Sequence, residues 1–123
     1  MILADTSVWV DHFRSPEPTL MHLVQANDLV MHPFVVGELA MGSLADRKLR
    51  LRLWAMMPSL PVVPLEDVLA LVEGQRLFSS GIGYMDASLL AASLAAPGTL
   101  LWSRDHKLQD FARQFGVFAD FDD

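Results

Sequence analysis

Short apolar segments alternate with helix-length segments along this chain of 123 residues, and the alternation restricts the possible folds more than any other feature. The clearest apolar runs, residues 1–4, 29–32 and 99–102, have the length of β-strands, and a helical segment follows each of them. Parallel strands require crossover connections of this kind. The pattern therefore predicts an α/β fold with a mainly parallel sheet and helices on its faces.

The remaining elements are predicted from turn residues and hydrophobic periodicity. Prolines flank a short strand predicted at residues 60–63, and an edge strand is predicted at 117–118. The length is near the common size of one domain, so a single domain over residues 1–123 is expected. Helices are predicted over 7–14, 19–26, 33–42, 46–57, 65–78, 84–95 and 105–115.

The composition argues against several classes of protein. The chain has no cysteine, which excludes disulfides and thiolate metal sites, and its four histidines show no paired metal spacing. The first residues lack the features of a signal peptide. The longest uncharged stretch, 87–103, is interrupted by Pro97 and Gly98 and is a poor membrane span. We therefore expect a cytoplasmic protein that does not enter the membrane.

The apolar content is higher than a domain of this size needs. Hydrophobic residues make up 52% of the chain without counting glycine, against about 45–50% with glycine in an ordinary domain. Segments 49–57 and 80–96 are apolar beyond one helical stripe. These features predict that another chain buries part of the surface.

Two acidic residues follow predicted strands. Asp5 ends the first strand, and Asp105 lies just past the strand at 99–102. In parallel sheets, ligands bind outside the carboxyl ends of the strands, so both carboxylates are predicted to reach one crevice. Each has an alternative role as a helix N-cap, because a helical segment follows it.

Two further acids lie on predicted helices. Glu38 has apolar neighbours one turn away, which predicts a buried carboxylate that needs a counter-charge or a metal. The alternative for Glu38 is an ion pair with Arg14 or Arg76. Asp86 lies in the first turn of an otherwise uncharged helix, where the helix dipole favours an anion. Its alternative is a simple role in capping that turn.

Taken together, these four acids predict a cation site. Carboxylates gathered in one crevice repel each other unless a cation lies between them. Oxygen ligands of this kind suit Mg²⁺ or Mn²⁺, and such ions assist phosphodiester hydrolysis. The candidate ligands are Asp5, Glu38, Asp86 and Asp105.

Four segments, ILADTSVWVDHF, PFVVGELAMG, GIGYMDASLLAA and LLWSRDHKL, carry a family resemblance. In their order the sequence resembles the PIN-domain ribonucleases, and more narrowly the VapC-type toxins of toxin–antitoxin pairs. The resemblance implies a three-layer α/β domain with about five mainly parallel strands. It also implies that the four acids form the family's acidic quartet and that Ser103 stands where Thr or Ser is usual. The chain departs from the pattern at His106 and Lys107, where the family often has another acid or an asparagine.

The resemblance further implies a metal-dependent endoribonuclease that a cognate antitoxin neutralises. One or two Mg²⁺ or Mn²⁺ ions would bind the carboxylates and the scissile phosphate, and a metal-activated water would attack phosphorus. Asp5 and Asp86 would be direct ligands, with Glu38 and Asp105 completing the site. Thr6 and Ser103 would orient these ligands from the second shell. The expected partners are RNA, an antitoxin that places an apolar helix in a groove, and a second copy of the chain.

The net charge of −6 does not contradict RNA binding. Nucleic acids favour basic surfaces, but without the site acids and the tail acids Asp120, Asp122 and Asp123 the remaining charge is about neutral. The basic run at residues 47–52 either contacts RNA phosphate or forms a solvated helix face.

Two other functions are compatible with the same residues. A PIN fold without catalytic activity could serve only as a protein-binding module. An aspartyl phosphotransferase would use Asp5 as its nucleophile, although Ser7 stands where such enzymes usually have a second Asp.

Overall fold

The computed structural model describes residues 1–121 and contains a parallel sheet flanked by helices. Strand β1 (Ile2–Ala4) lies in the centre, between β2 (Leu29–Val30) and β3 (Leu100–Trp102). Both neighbours run parallel to β1, and Ile2 pairs with Leu29 on one side and Leu100 on the other. The predicted α/β class with a parallel sheet is confirmed.

Helices connect and cover these strands, and several begin where the sequence indicates. Proline occupies the start of the second and third helices, where its fixed φ favours the first turn. The helix predicted at 84–95 has those bounds, whereas the one predicted at 65–78 ends at Gly74. The helices of the described chain are α1 (Thr6–Arg14), α2 (Pro18–Gln25), α3 (Pro33–Ala40), α4 (Arg47–Met56), α5 (Leu65–Gly74), α6 (Tyr84–Ala95) and α7 (His106–Gln114).

The expectation of about five strands is wrong, since the sheet within residues 1–121 has three. The two missing strands are reduced to single parallel bridges, Met31 with Ser59 and Leu101 with Phe118, at the two edges of the sheet. Prolines at positions 58, 61 and 64 explain the first loss, because proline has no N–H to donate to a ladder.

Helix α6 is the most buried helix, and it corrects one expectation. Residues 87–93 are all buried inside this chain, in a helix that packs against α5 and β3. This central part of its apolar sequence is therefore covered within the chain, whereas Tyr84 and Leu94 toward its ends are exposed. The exposed apolar side chains lie elsewhere, with Met41 88% and Met56 76% exposed.

The topology brings two strand ends together. The chain leaves β1 for β2 on one side and later returns to β3 on the other, so the strand order changes direction beside β1, a position where α/β sheets form ligand crevices. The Asp5 amide donates to the Trp102 carbonyl at 2.9 Å and joins the two ends.

No helix in residues 1–121 is long and apolar enough to cross a membrane. The tail acids Asp122 and Asp123 lie outside the described residues.

Candidate active site

Asp5 lies at the floor of the site and is held by three donors. It follows β1 and caps α1, and it is only 5% exposed. The Ser7 amide donates to Asp5 Oδ1 at 2.7 Å, and the Ser7 hydroxyl donates to the same oxygen. The Ser103 hydroxyl donates to Oδ2 at 2.6 Å. The Asp5 carboxylate therefore caps α1, as one alternative predicted, and also lies in the predicted crevice.

The segment between β3 and α7 is tied to this floor. Ser103 Oγ accepts a hydrogen bond from the Asp105 amide at 3.0 Å, and the Arg104 amide donates to Ser7 Oγ at 3.1 Å. Asp105 caps α7 by accepting from the Leu108 amide at 3.0 Å, and its side chain is exposed. The capping alternative for Asp105 thus holds, and the cap places its carboxylate at the rim of the crevice.

Arg104 is a residue of this region that sequence reasoning missed. Its guanidinium contacts Asp11 Oδ2 at 2.8 Å and Glu17 Oε2 at 2.5 Å. These contacts join the β3–α7 segment to α1 and to the start of α2. The sequence offers only a weak signal for this role, because ion pairs across 87 to 93 positions leave no local periodicity.

Asp86 lies on the wall of the site, in the first turn of α6. Burial raises the pKa of its carboxyl above the ordinary value. The Gly83 amide, which donates to Oδ2 at 3.4 Å, lowers this pKa, while the charges of Asp5, Asp105 and Glu38 raise it further. The predicted capping role is therefore present, and the other three predicted acids lie close enough to act electrostatically on Asp86.

Glu38 differs from its prediction. It was expected on a buried face of its helix, but α3 buries Val35 and Leu39 and leaves Glu38 exposed. Val35 and Leu39 are spaced one turn apart, so their face turns inward and Glu38 lies outside it. In the described part of the chain, no ion pair joins Glu38 to Arg14 or Arg76.

One cavity of about 200 Å³ brings all four predicted acids together. An apolar groove of about 500 Å³, lined by Phe34, Met41 and Tyr84, opens beside Glu38 on one side. A second groove of about 270 Å³, lined by Arg14 among others, opens on another side. The acidic cavity itself is lined by Asp5, Thr6, Ser7, Glu38, Met85, Asp86 and Asp105.

The donor set of this cavity fits a hard divalent cation. Its polar groups are carboxylates and hydroxyls, and Mg²⁺ takes one or two protein carboxylates together with waters and substrate phosphate. Within residues 1–121, no three acidic or histidine side chains are arranged to hold one ion by themselves. The Thr6 hydroxyl is buried at the cavity and has no hydrogen-bond partner there, so it orients no carboxylate in this state. An ion at this site would therefore take part of its ligands from water or phosphate oxygens.

His32 is a second residue that the sequence did not single out. Its side chain is fully buried, and its Nδ1 caps α3 by accepting from the Phe34 amide at 3.0 Å. Burial lowers the pKa of His32 below its ordinary value. The signal was the position before Pro33, which marks the N-cap, although Ser, Thr, Asp and Asn are the usual residues there.

Comparison with known proteins agrees with this geometry. The family model for the PIN domain matches residues 2–114. The chain is 40% identical over 117 residues to ribonuclease VapC32 of Mycobacterium tuberculosis, in strains CDC 1551 and H37Rv. The alignment covers 95% of this chain and 94% of that relative.

Proposed function

The chain belongs to the PIN domain family and, within it, to the VapC-type ribonucleases, and from this premise we propose that it is a metal-dependent endoribonuclease toxin. In this proposal it hydrolyses RNA phosphodiester bonds in the cytoplasm, and residues 1–123 form one PIN domain. The observation that carries the proposal is the gathering of four carboxylates, from four separate segments, around one cavity at the carboxyl ends of β1 and β3.

Asp5 and Asp86 are proposed as the principal ligands of Mg²⁺ or Mn²⁺, with Glu38 and Asp105 completing the site. When bound, the ion would neutralise phosphate charge and activate water for attack on phosphorus. Asp5 keeps a fixed orientation because Ser7 and Ser103 donate to its two oxygens. Donors to a ligating carboxylate fix the direction of its remaining lone pairs.

The metal dependence can be tested with labelled RNA and the purified chain. Cleavage is expected with Mg²⁺ or Mn²⁺, is expected to stop in excess chelator, and should return when the ion is restored. Calorimetric titration of Mn²⁺ into the protein without RNA gives a readout that does not depend on activity. Cleavage that continues undiminished in chelator, and that Asp86→Asn leaves intact, would contradict the proposal.

The proposed protein partner is an antitoxin that covers the apolar groove beside Glu38. This groove, with Phe34, Met41 and Tyr84 in its lining, adjoins the acidic cavity and shares Glu38 and Met85 with it. A basic side chain from an apolar helix in the groove could reach the carboxylates and compete with the ion. Growth arrest on expression alone, relieved by co-expression of the neighbouring small gene product, is the expected result.

A homodimer is proposed from the exposed apolar side chains. Leu65, Leu69 and Phe78 are among the exposed large hydrophobic residues on and after α5. Light scattering of the purified chain should report a dimer. A monomer across micromolar concentrations would contradict this part of the proposal without affecting the ribonuclease assignment.

A further inference from the structure

We propose that the groove between α1 and the α3–α4 segment binds the RNA strand beside the cleavage site, with Arg14 contacting a flanking phosphate. The inference rests on the proposed ribonuclease function and adds a substrate-binding residue to it. The groove of about 270 Å³ shares the lining residues Thr6 and Glu38 with the acidic cavity, so the two spaces adjoin. A strand that leaves the cavity on this side passes Arg14.

The guanidinium of Arg14 is placed to accept an external anion. Its side chain is 77% exposed, and its contact with Asp11 Oδ1 is long, at 4.0 Å. The other oxygen of Asp11 is held at 2.8 Å by Arg104. Asp11 is thus already neutralised in part by a closer cation. Arginine binds phosphate through two parallel hydrogen bonds, and an exposed, weakly held arginine loses little when it turns to such a ligand.

The separation between Arg14 and the acidic cavity suits a neighbouring phosphate. Thr6 and Arg14 are the first and last residues of α1, which places them about 12 Å apart along the helix axis. A stacked strand advances by about 3.4 Å per nucleotide, and an unstacked strand advances further. The phosphate at Arg14 is therefore no more than about four nucleotides from the scissile bond.

The remaining lining of the groove combines the aliphatic side chains of Val10, Leu39 and Leu44 with groups that a nucleic acid strand can contact. Phe13 lines it, and the guanidinium of Arg50 lies 4.6 Å from the centre of the Phe13 ring. Ser43 adds a hydroxyl. The apolar groove on the other side of Glu38 contains no cation among its lining residues. An anionic strand that must pass Glu38 is therefore favoured on the side where Arg14 offsets the carboxylate charge.

Arg113 provides a matched control for Arg14. Each lies in the last turn of a helix and contacts an aspartate three positions earlier, Asp110 in the case of Arg113, at 3.3 Å. Arg113 is also exposed, at 53%, but it does not line the groove. Arg14→Gln and Arg113→Gln therefore remove the same charge from the end of a helix, although Arg113→Gln also removes a contact with the Phe118 ring at 4.1 Å.

The test is fluorescence anisotropy with a short, labelled single-stranded oligoribonucleotide, in chelator to prevent cleavage, over a series of salt concentrations. Arg14→Gln is expected to weaken binding and to reduce the slope of log K against log salt by about 0.7, the value for one phosphate contact on a single strand. Arg113→Gln should keep the wild-type slope. In cleavage assays with Mg²⁺, Arg14→Gln should raise KM and leave kcat unchanged.

Several results would overturn the inference. One is an equal loss in both variants, which would indicate general electrostatics. Another is a wild type that does not bind RNA at low salt. A third is an Arg14→Gln variant that loses affinity for an acidic protein partner but not for RNA. The two proposals fail separately. If the protein cleaves RNA but Arg14→Gln keeps the wild-type slope of log K against log salt, only the Arg14 contact is refuted. If Arg14→Gln alone weakens RNA binding but the protein cleaves no RNA, only the ribonuclease function is refuted.

Discussion

The floor and the wall of the acidic cavity hold their carboxylates in different ways. At the floor, Asp5 accepts hydrogen bonds from an amide and two hydroxyls of its own chain. On the wall, Asp86 accepts one long hydrogen bond from the Gly83 amide, at 3.4 Å. Glu38 makes no side-chain hydrogen bond in the described structure. Folding alone therefore fixes the floor carboxylate, whereas the upper carboxylates keep lone pairs and freedom for a ligand.

This difference has an electrostatic basis. Negative charge at the floor is stabilised by donors at short distance, which offsets the penalty of burial. The Asp86 carboxylate has no comparable set of donors, so burial and neighbouring charges act on it directly and raise its pKa. A cation in the cavity would mainly relieve the electrostatic repulsion on the Asp86 carboxylate. The fixed floor would orient the bound cation.

The largest expected effect is the loss of activity in Asp5→Asn. Removing a hydrogen-bond partner of a metal ligand typically lowers activity by about 10- to 100-fold, and removing the ligand itself should cost more. We therefore expect cleavage activity to fall by more than about 100-fold. The amide can still accept from Ser7 and meet Ser103 with its NH₂ group, so the stability loss should be limited to about 1 kcal/mol. Single-turnover cleavage and thermal unfolding measure the two effects. Near-normal turnover would show that Asp5 is not a ligand.

A smaller loss of activity is expected when Asp5 keeps its charge but loses a donor. Ser103→Ala removes the hydroxyl that donates to Asp5 Oδ2 and accepts from the Asp105 amide. We expect a decrease of about 10- to 100-fold in Mn²⁺ affinity and in cleavage. Ser88→Ala is the matched control, because Ser88 is equally buried and its hydroxyl has no partner in the described chain. Equal effects in the two variants would contradict a role specific to the site.

The comparison also shows which parts of the site the sequence could reveal. Asp5 and Asp86 were predicted from local features, a strand end and a single acid in an uncharged helix. The bounds of α6 followed from its mostly apolar sequence, with Asp86 as its one charged residue, between Gly83 and Pro97. Ser103 came from the family resemblance. The signals for Asp5, Asp86 and the bounds of α6 lie within a few residues in the sequence, which is why the single chain was enough to predict them.

Two of the three errors came from properties that depend on distant residues, and the third came from prolines within the segment itself. The burial of Glu38 was misjudged because apolar neighbours on both sides of α3 left its inward face ambiguous, and packing against the rest of the chain decided it. The strand at 60–63 failed because proline removes the ladder donors that its apolar residues suggested. Arg104 was missed because its partners, Asp11 and Glu17, are far away in sequence.

The wall of the cavity predicts a gain in stability rather than a loss. Asp86→Asn removes a carboxylate that burial and like charges disfavour, so the protein in chelator should be more stable at pH 7. After solvent screening we expect a gain on the order of 1 kcal/mol, or about 3–6 °C in Tm. Because the pKa of Asp86 is raised, protonation relieves the same penalty in the wild type.

The stability difference between Asp86→Asn and the wild type should therefore vanish as the pH falls through this raised pKa toward the ordinary value of 3.8. Thermal unfolding across this pH range measures it. Asp110→Asn, which changes an exposed aspartate on α7, serves as the control. A lower stability of Asp86→Asn at neutral pH would show that the capping contact with Gly83 outweighs the repulsion.

The smallest expected effect concerns His32, which holds the start of the helix that carries Glu38. Its Nδ1 must stay unprotonated to accept from the Phe34 amide, and burial lowers its pKa. A lowered pKa gives stability that is complete above the ordinary value of 6.5 and is lost as the pH falls through the folded value. His32→Asn keeps a capping acceptor without titrating there, so it should weaken the pH dependence of stability below 6.5 by less than about 1 kcal/mol.

Part of the dependence should remain, because burial and the charge of Arg50 also lower the pKa of His12, although Glu17 raises it. His22→Asn, at an exposed position on α2, serves as the control for replacing a histidine. An unchanged pH profile in His32→Asn would show that this cap is not the element of the fold that acid weakens.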